Sequence, residues 1–202
     1  MPPGDALLTI MIRALCVFCG SSAGVDPAHA EAAHALGSAI GAAGLGLVYG
    51  GGHVGLMGVV ADAALAARAP VTGVIPRALA ERELAHQGLT ELRIVGSMHE
   101  RKAMMADRAD GFIALSGGIG TLEEMFEIWT WAQLGQHAKP VALLNVAGFY
   151  DKLIGFLDDV VAQGFLSGAH RSMLIVEEDP ARLVARMRDH GAAAAWIGRD
   201  ER

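Results

Sequence analysis

Seven short apolar runs punctuate the chain, at residues 14–19, 45–49, 71–75, 92–95, 111–115, 141–145 and 174–176. Most show little apolar/polar alternation, the pattern of strands covered on both faces. Between them lie longer segments with apolar residues at helical spacing, at about 26–43, up to 68, 98–109, 120–134, 150–163 and 179–190. Asp26-Pro27 reads as an N-cap followed by proline at the first helical position, and Gly44 ends that helix. Residues 77–87 fit neither period well and are assigned a short helix carrying Glu81 and Glu83. Alternating strands and helices with no repeat or linker predict an α/β fold, a doubly wound, mostly parallel sheet with helices on both faces in a single domain. That domain spans 13–190, with a flexible leader at 1–12 and a loose C-terminal tail at 191–202.

Composition narrows the partners. A chain of 202 residues with 52% hydrophobic content can bury a substantial core. Its net charge of −6 and lack of any Lys/Arg block argue against nucleic acid as the main partner. No apolar run approaches the ~20 residues of a membrane span, and no secretory signal opens the chain, so the expected location is cytoplasmic with no membrane partner. Cys16 and Cys19 form a C-x-x-C, but both lie within the first strand and so on opposite faces. They are read as buried structural thiols. Nothing completes a zinc site, and the eight histidines form no H-E-x-x-H, so no metal is expected.

The chemistry concentrates after the fifth strand, in Ser116-Gly117-Gly118-Ile119-Gly120-Thr121-Leu122-Glu123-Glu124. A strand, a glycine turn and a helix start leave unpaired N–H groups that a phosphate can approach. Thr121 adds a hydroxyl, and Glu124 a carboxylate about one turn further on. Adjacent helical residues point ~100° apart, so only one of Glu123 and Glu124 should face the pocket squarely, and complementing the helix dipole accounts for one of them. A second glycine turn, residues 50–55, satisfies G-x-G-x-x-G, but no acidic residue ends the next strand to hold a ribose hydroxyl. Neither turn carries a phosphate-loop lysine, which disfavours an ATPase. Both turns sit at the carboxyl ends of strands, where open sheets bind ligands, and suggest a nucleoside monophosphate or phosphorylated sugar.

Three motifs together, Gly50-Gly51-Gly52-x-x-Gly55-Leu56-Met57-Gly58, Met98-His99-Glu100-Arg101-Lys102 and Gly117-Gly118-x-Gly120-Thr121-x-x-Glu124, resemble the Lonely Guy (LOG) family. Its members are cytokinin riboside 5'-monophosphate phosphoribohydrolases, formerly mislabelled lysine decarboxylases. The likeness extends to Cys19-Gly20-Ser21-Ser22 and to residues 129–135. It implies a Rossmann-like nucleotide-binding catalytic domain, a homodimer and no cofactor. It implies Arg101 and Glu124 as the catalytic pair. It implies substrate contacts from Glu83, Lys102, Gly117, Gly118, Ile119, Gly120, Thr121 and Thr130, with Gly20, Ser21, Gly51 and Gly52 supporting the phosphate loop. The implied reaction is cleavage of the N-glycosidic bond of N6-substituted adenosine 5'-monophosphates, and of AMP, to free base and ribose 5-phosphate. A non-catalytic nucleotide carrier on the same fold is the alternative. One position departs from the family pattern: Ser116 stands where the motif opens with proline.

Overall fold

The computed structural model describes residues 11–80 and 85–197, with side chains as far as residue 189. In chain order the elements are β1 (Ala14–Phe18), α1 (Ala28–Ala42), β2 (Gly46–Tyr49), α2 (Gly55–Ala66), β3 (Val71–Pro76), α3 (Arg77–Ala80), β4 (Glu91–Val95), α4 (Met98–Arg108), β5 (Gly111–Ala114), α5 (Ile119–Gln133), β6 (Val141–Leu144), α6 (Asp151–Ala162), α7 (Gly168–Ser172), β7 (Leu174–Glu177) and α8 (Pro180–Ile197). Each apolar run forms its strand to within one residue at either end. Asp26 caps α1 as expected, its Oδ1 accepting from the Ala28 N–H at 2.9 Å.

The strands make one parallel sheet in the order β4-β3-β2-β1-β5-β6-β7. Strand residues alternate between two cores. Leu15, Val17, Leu47 and Ile113 pack under α1, α2 and α8, whereas Cys16, Phe18, Val48 and Phe112 pack under α4, α5 and α6. Cys16 and Cys19 accordingly fall on opposite faces, both as free, buried thiols. Continuous burial of β1, β2, β5 and β6 explains their unbroken apolar sequence. The edge strand β4 instead exposes Arg93 and Ile94, and Glu91 pairs with both Arg93 and Arg108. Charge on an open edge discourages pairing with another chain.

The chain builds outward from β1 to β4, then returns to lay β5 on the other side of β1. The connections leaving β1 and β5 therefore run to opposite faces and open a crevice at the strands' carboxyl ends.

Several expectations change. Ile12 is buried in the core, so the expected leader overlaps the folded domain by at least that residue, and 1–10 lie outside the described residues. The last helix runs on to Ile197, through much of the stretch expected to be loose. Of the helix expected within 77–87 the described residues show α3, and Glu81 and Glu83 lie outside the described residues. The helix α7 and a 3₁₀ turn at Val146–Gly148 were not legible as separate elements.

Candidate active site

A cleft of about 320 Å³ opens at the crevice between β1 and β5. Its walls are Cys19, Gly20 and Ser21 after β1, Gly50 after β2, Met98, Arg101 and Met105 on α4, and Gly118–Thr121, Glu123 and Glu124 at the start of α5. A second cavity of about 520 Å³ adjoins it, sharing Gly20, Ser21 and Gly118 and reaching His29, Ser116 and Phe149.

The start of α5 leaves backbone N–H groups without intrahelical partners. Gly118, in an extended conformation, is the N-cap residue and offers no side-chain cap, and no acidic residue occupies the first turn. The first intrahelical bond of that turn runs from the Leu122 N–H to the Gly118 carbonyl, so the preceding amides point free into the cleft. Thr121 is buried, and its Oγ1 packs so closely on Gly117 that a Cβ there would overlap it. Gly117 thus lines the adjoining cavity, while Gly118, Ile119 and Gly120 form the exposed rim of the cleft.

Ser116 joins this turn to its surroundings. Its carbonyl accepts from the Gly20 N–H at 3.0 Å, and its hydroxyl lies 2.9 Å from His29 Nδ1. One residue earlier, the Tyr150 hydroxyl donates to the Leu115 carbonyl at 2.8 Å. His29 and Tyr150 carried no sequence signal, because each supports the turn from a distant part of the chain.

Arg101 sits on α4, whose N-terminus is fastened by Ser97 Oγ accepting from the Glu100 N–H and by Glu100 accepting from the Gly96 N–H. The side chain is only 7% exposed, yet it forms no ion pair among the described residues. Instead Nε donates to the Val74 carbonyl at 3.1 Å and Nη2 to the Gly50 carbonyl at 3.0 Å. Two neutral acceptors orient the guanidinium without neutralising it. A buried cation left unpaired is costly, and the cost is recovered when an anion binds.

Glu124 faces the same cleft. Burial raises its carboxyl to about 7 against the opposing pull of Arg101, while Glu123 pushes it up and Lys102 down. It is therefore poised between protonation states near neutral pH. Burial and the same glutamate push the Cys16 and Cys19 thiols up, which keeps them protonated and unreactive although Cys19 borders the cleft.

Other expected residues fall elsewhere. Glu123 borders the cleft at its exposed edge, but its carboxylate is engaged by Lys102. Lys102 lines neither cavity. Thr130 lies exposed on α5 beyond the cleft, its hydroxyl bonded back to the Phe126 carbonyl at 2.7 Å. Gly51 and Gly52 face β3 and the 85–86 segment: Gly51 accepts from the His86 N–H, and Gly52 bridges to Ala85. The residue of that second turn that borders the cleft is Gly50.

His53, Asp62 and His86 lie close enough to suggest a metal site. Their hydrogen bonds favour a different role. His86 Nδ1 accepts from the Gly88 N–H at 3.0 Å, so the neutral ring carries its proton on Nε2 and donates it to Asp62 at 2.8 Å. That nitrogen has no lone pair to offer a metal. The cluster ties the segment at 86 to α2.

With this geometry established, comparison with known proteins becomes informative. The family model described as "possible lysine decarboxylase" matches residues 57–187. The chain belongs to the Lonely Guy (LOG) family. A relative from Oryza sativa subsp. japonica, named probable cytokinin riboside 5'-monophosphate phosphoribohydrolase, is 50% identical over 178 residues, 88% of this chain and 78% of its own. One from Arabidopsis thaliana, named cytokinin riboside 5'-monophosphate phosphoribohydrolase, is 44% identical over 187 residues, 93% of this chain and 87% of its own. Among solved structures, the Moco carrier protein from Chlamydomonas reinhardtii shares the fold, with a TM-score of 0.67 at 22% identity over 90% of this chain and 98% of that one. The "lysine decarboxylase" label of the LOG family finds no counterpart in this cleft. None of the lysines at 102, 139 and 152 lines it, and Lys139 donates to the Ala106 carbonyl.

Proposed function

We propose that this protein is a phosphoribohydrolase that cleaves the N-glycosidic bond of adenosine 5'-monophosphates, with N6-substituted forms and AMP as substrates. One observation carries the reading: a buried Arg101 with no ion pair among the described residues and a carboxyl raised to about 7, Glu124, share a cleft with the uncapped N-terminus of α5.

The 5'-phosphate is placed on the amides at Gly118–Thr121, where the helix dipole and the Thr121 hydroxyl favour a dianion. As the bond from C1' of the ribose to the base lengthens, positive charge grows on the ribose ring and negative charge on the base. The ionised Glu124 stabilises that cation and accepts a proton from the water attacking C1', as carboxylates do in glycoside hydrolysis. The bond electrons leave with the base, which is protonated from solvent, and the products are free base and ribose 5-phosphate. Arg101 stays protonated throughout and acts by charge and hydrogen bonding, available to the phosphate and to the departing base alike. No redox or group-transfer cofactor enters this scheme.

We further propose a homodimer. Met98 on α4 and Ile119 at the start of α5 are exposed apolar residues at the cleft, Leu134 is exposed at the far end of α5, and a symmetric partner would cover them. Trp129 takes no part in that surface: it is buried in the chain's own core with its Nε1 donating to the His170 carbonyl. A monomeric mass by light scattering at micromolar concentration would refute the dimer. Two free, buried thiols suit a reducing cytoplasmic setting.

The decisive experiment incubates the protein with AMP and N6-isopentenyl-AMP and measures free base and ribose 5-phosphate directly. Both products should appear in equal amounts. Binding of the monophosphates without base release would establish a carrier instead.

A further inference from the structure

Lys102 follows Arg101 on α4, and Glu123 precedes Glu124 on α5. The Lys102 ammonium lies 2.6 Å from Glu123 Oε1 and 3.0 Å from Glu127 Oε1, and the side chain is only 10% exposed. The other Glu127 oxygen is buried with no hydrogen-bond partner, so among the described residues Lys102 provides the sole countercharge to that carboxylate. Glu123, Glu124 and Glu127 crowd about one turn of helix, where like charges destabilise one another. Arg101 is already held by the Val74 and Gly50 carbonyls and takes no part in pairing them.

We infer that Lys102 is a positioning residue, which clamps α4 to α5 and neutralises Glu123 and Glu127 so that Glu124 alone presents charge to the cleft. This rests on the role proposed above for Glu124.

The groups facing Glu124 from neighbouring elements are Arg101 and Lys102 on α4, the Cys16 thiol on β1 and the Cys19 thiol just after it, and Glu123 and Glu127 along α5. Both thiols stay protonated, so the balance lies between two cations and two carboxylates. Burial lowers the affinity of Lys102 for its proton, but the bonds to Glu123 and Glu127 outweigh it and hold the ammonium charged. Without that charge, Arg101 alone would oppose both neighbouring carboxylates.

The test is a pH titration of the Glu124 carboxyl by carbon-13 NMR on the ligand-free full chain, its resonance assigned by loss in Glu124→Gln. In Lys102→Met the midpoint should rise by roughly half a pH unit or more. In Lys102→Arg, which keeps the charge, it should stay near the wild-type value. Glu127→Gln, which retains the pair to Glu123, should lower it, so the inference stands or falls even if Lys102→Met fails to fold. In turnover assays the acid limb of kcat should shift upward in Lys102→Met, with KM for AMP unchanged at high pH. An unmoved midpoint in Lys102→Met or Glu127→Gln overturns the inference. So does a raised KM with an unshifted acid limb, which would make Lys102 a substrate contact. If the wild-type protein released no base from AMP, the hydrolase reading would fail, and the NMR titration would still decide the role of Lys102.

Discussion

The Arg101 guanidinium and the Gly50 backbone fit each other so closely that neither can be enlarged: the Gly50 carbonyl accepts from Nη2 at 3.0 Å, and a Cβ on Gly50 would overlap that same nitrogen. The second glycine turn thus serves Arg101 rather than a dinucleotide. Gly50→Ala should push the guanidinium aside while the fold survives, because the tip of an arginine can swing away. Misplacing a charged group by about 1 Å costs on the order of 10²-fold in rate. We expect kcat/KM for AMP to fall by about that factor with little change in Tm. Wild-type turnover in Gly50→Ala would show that the position of Arg101 does not matter.

Glu124 couples activity to stability in opposite senses. Its folded-state carboxyl, raised to about 7 by burial, lies above the ordinary value of 4.5. For an acid shifted upward, folding favours the protonated form, so the ionised form is a penalty fully present above pH 7 and lost as pH falls toward 4.5. Glu124→Gln should abolish base release and at the same time stabilise the fold at pH 8 by roughly 1–3 kcal/mol, a gain that fades below pH 5. In the wild type, turnover should rise with pH through about 7, since the ionised form is required. Thermal melts across pH on both proteins check the linkage. A Glu124→Gln variant less stable at pH 8 than at pH 5, relative to wild type, would contradict it.

The sheet was legible because its central strands are covered on both faces and so are written as unbroken apolar runs. The order of those strands was not, since nothing local states that β5 lies beside β1. The glycine turn was legible as a strand–glycine–helix sequence, and Glu124 as a carboxylate beside it. That Glu123 and Glu127 pair with Lys102, and that the Phe126 carbonyl takes the Thr130 hydroxyl, was not legible, because spacing does not reveal such partners. Gly50, His29 and Tyr150 act by contacts across tens of residues. No periodicity or motif records such contacts.

Ser116 tests how the turn is held where the family motif has proline. Its hydroxyl partners His29 Nδ1, and His29 in turn packs edge-on against Phe149 with ring centroids 5.5 Å apart. Ser116→Ala leaves that nitrogen without its partner and should cost about 0.5–1.5 kcal/mol of stability. Ser116→Pro loses the same bond but fixes φ at the strand end, which offsets the loss through reduced freedom of the unfolded chain. We expect the proline variant to match or exceed wild type in kcat/KM for AMP and the alanine variant to fall below it. The reverse ranking would mean that the serine hydroxyl, rather than the turn's rigidity, supports catalysis.

The last prediction concerns what the α5 amides and Arg101 recognise together. If the uncapped N-terminus of α5 receives the 5'-phosphate, that group contributes affinity and also sets the glycosidic bond against Glu124. Charge-assisted hydrogen bonds are worth roughly 1.5–3 kcal/mol each, so losing even two should reduce kcat/KM by at least about 10²-fold. AMP and N6-isopentenyl-AMP should therefore be cleaved far faster than adenosine or the corresponding riboside on one preparation of protein. Arg101→Ala should lower monophosphate turnover strongly, yet it should not unfold the chain, because among the described residues it removes a buried cation held by two backbone carbonyls and by no carboxylate. The size of its effect on adenosine identifies what the guanidinium touches. A loss confined to AMP assigns it to the phosphate, whereas an equal fractional loss on both substrates assigns it to the departing base. Equal kcat/KM for AMP and adenosine in the wild type would remove the phosphate from the α5 N-terminus, even with base release observed from both.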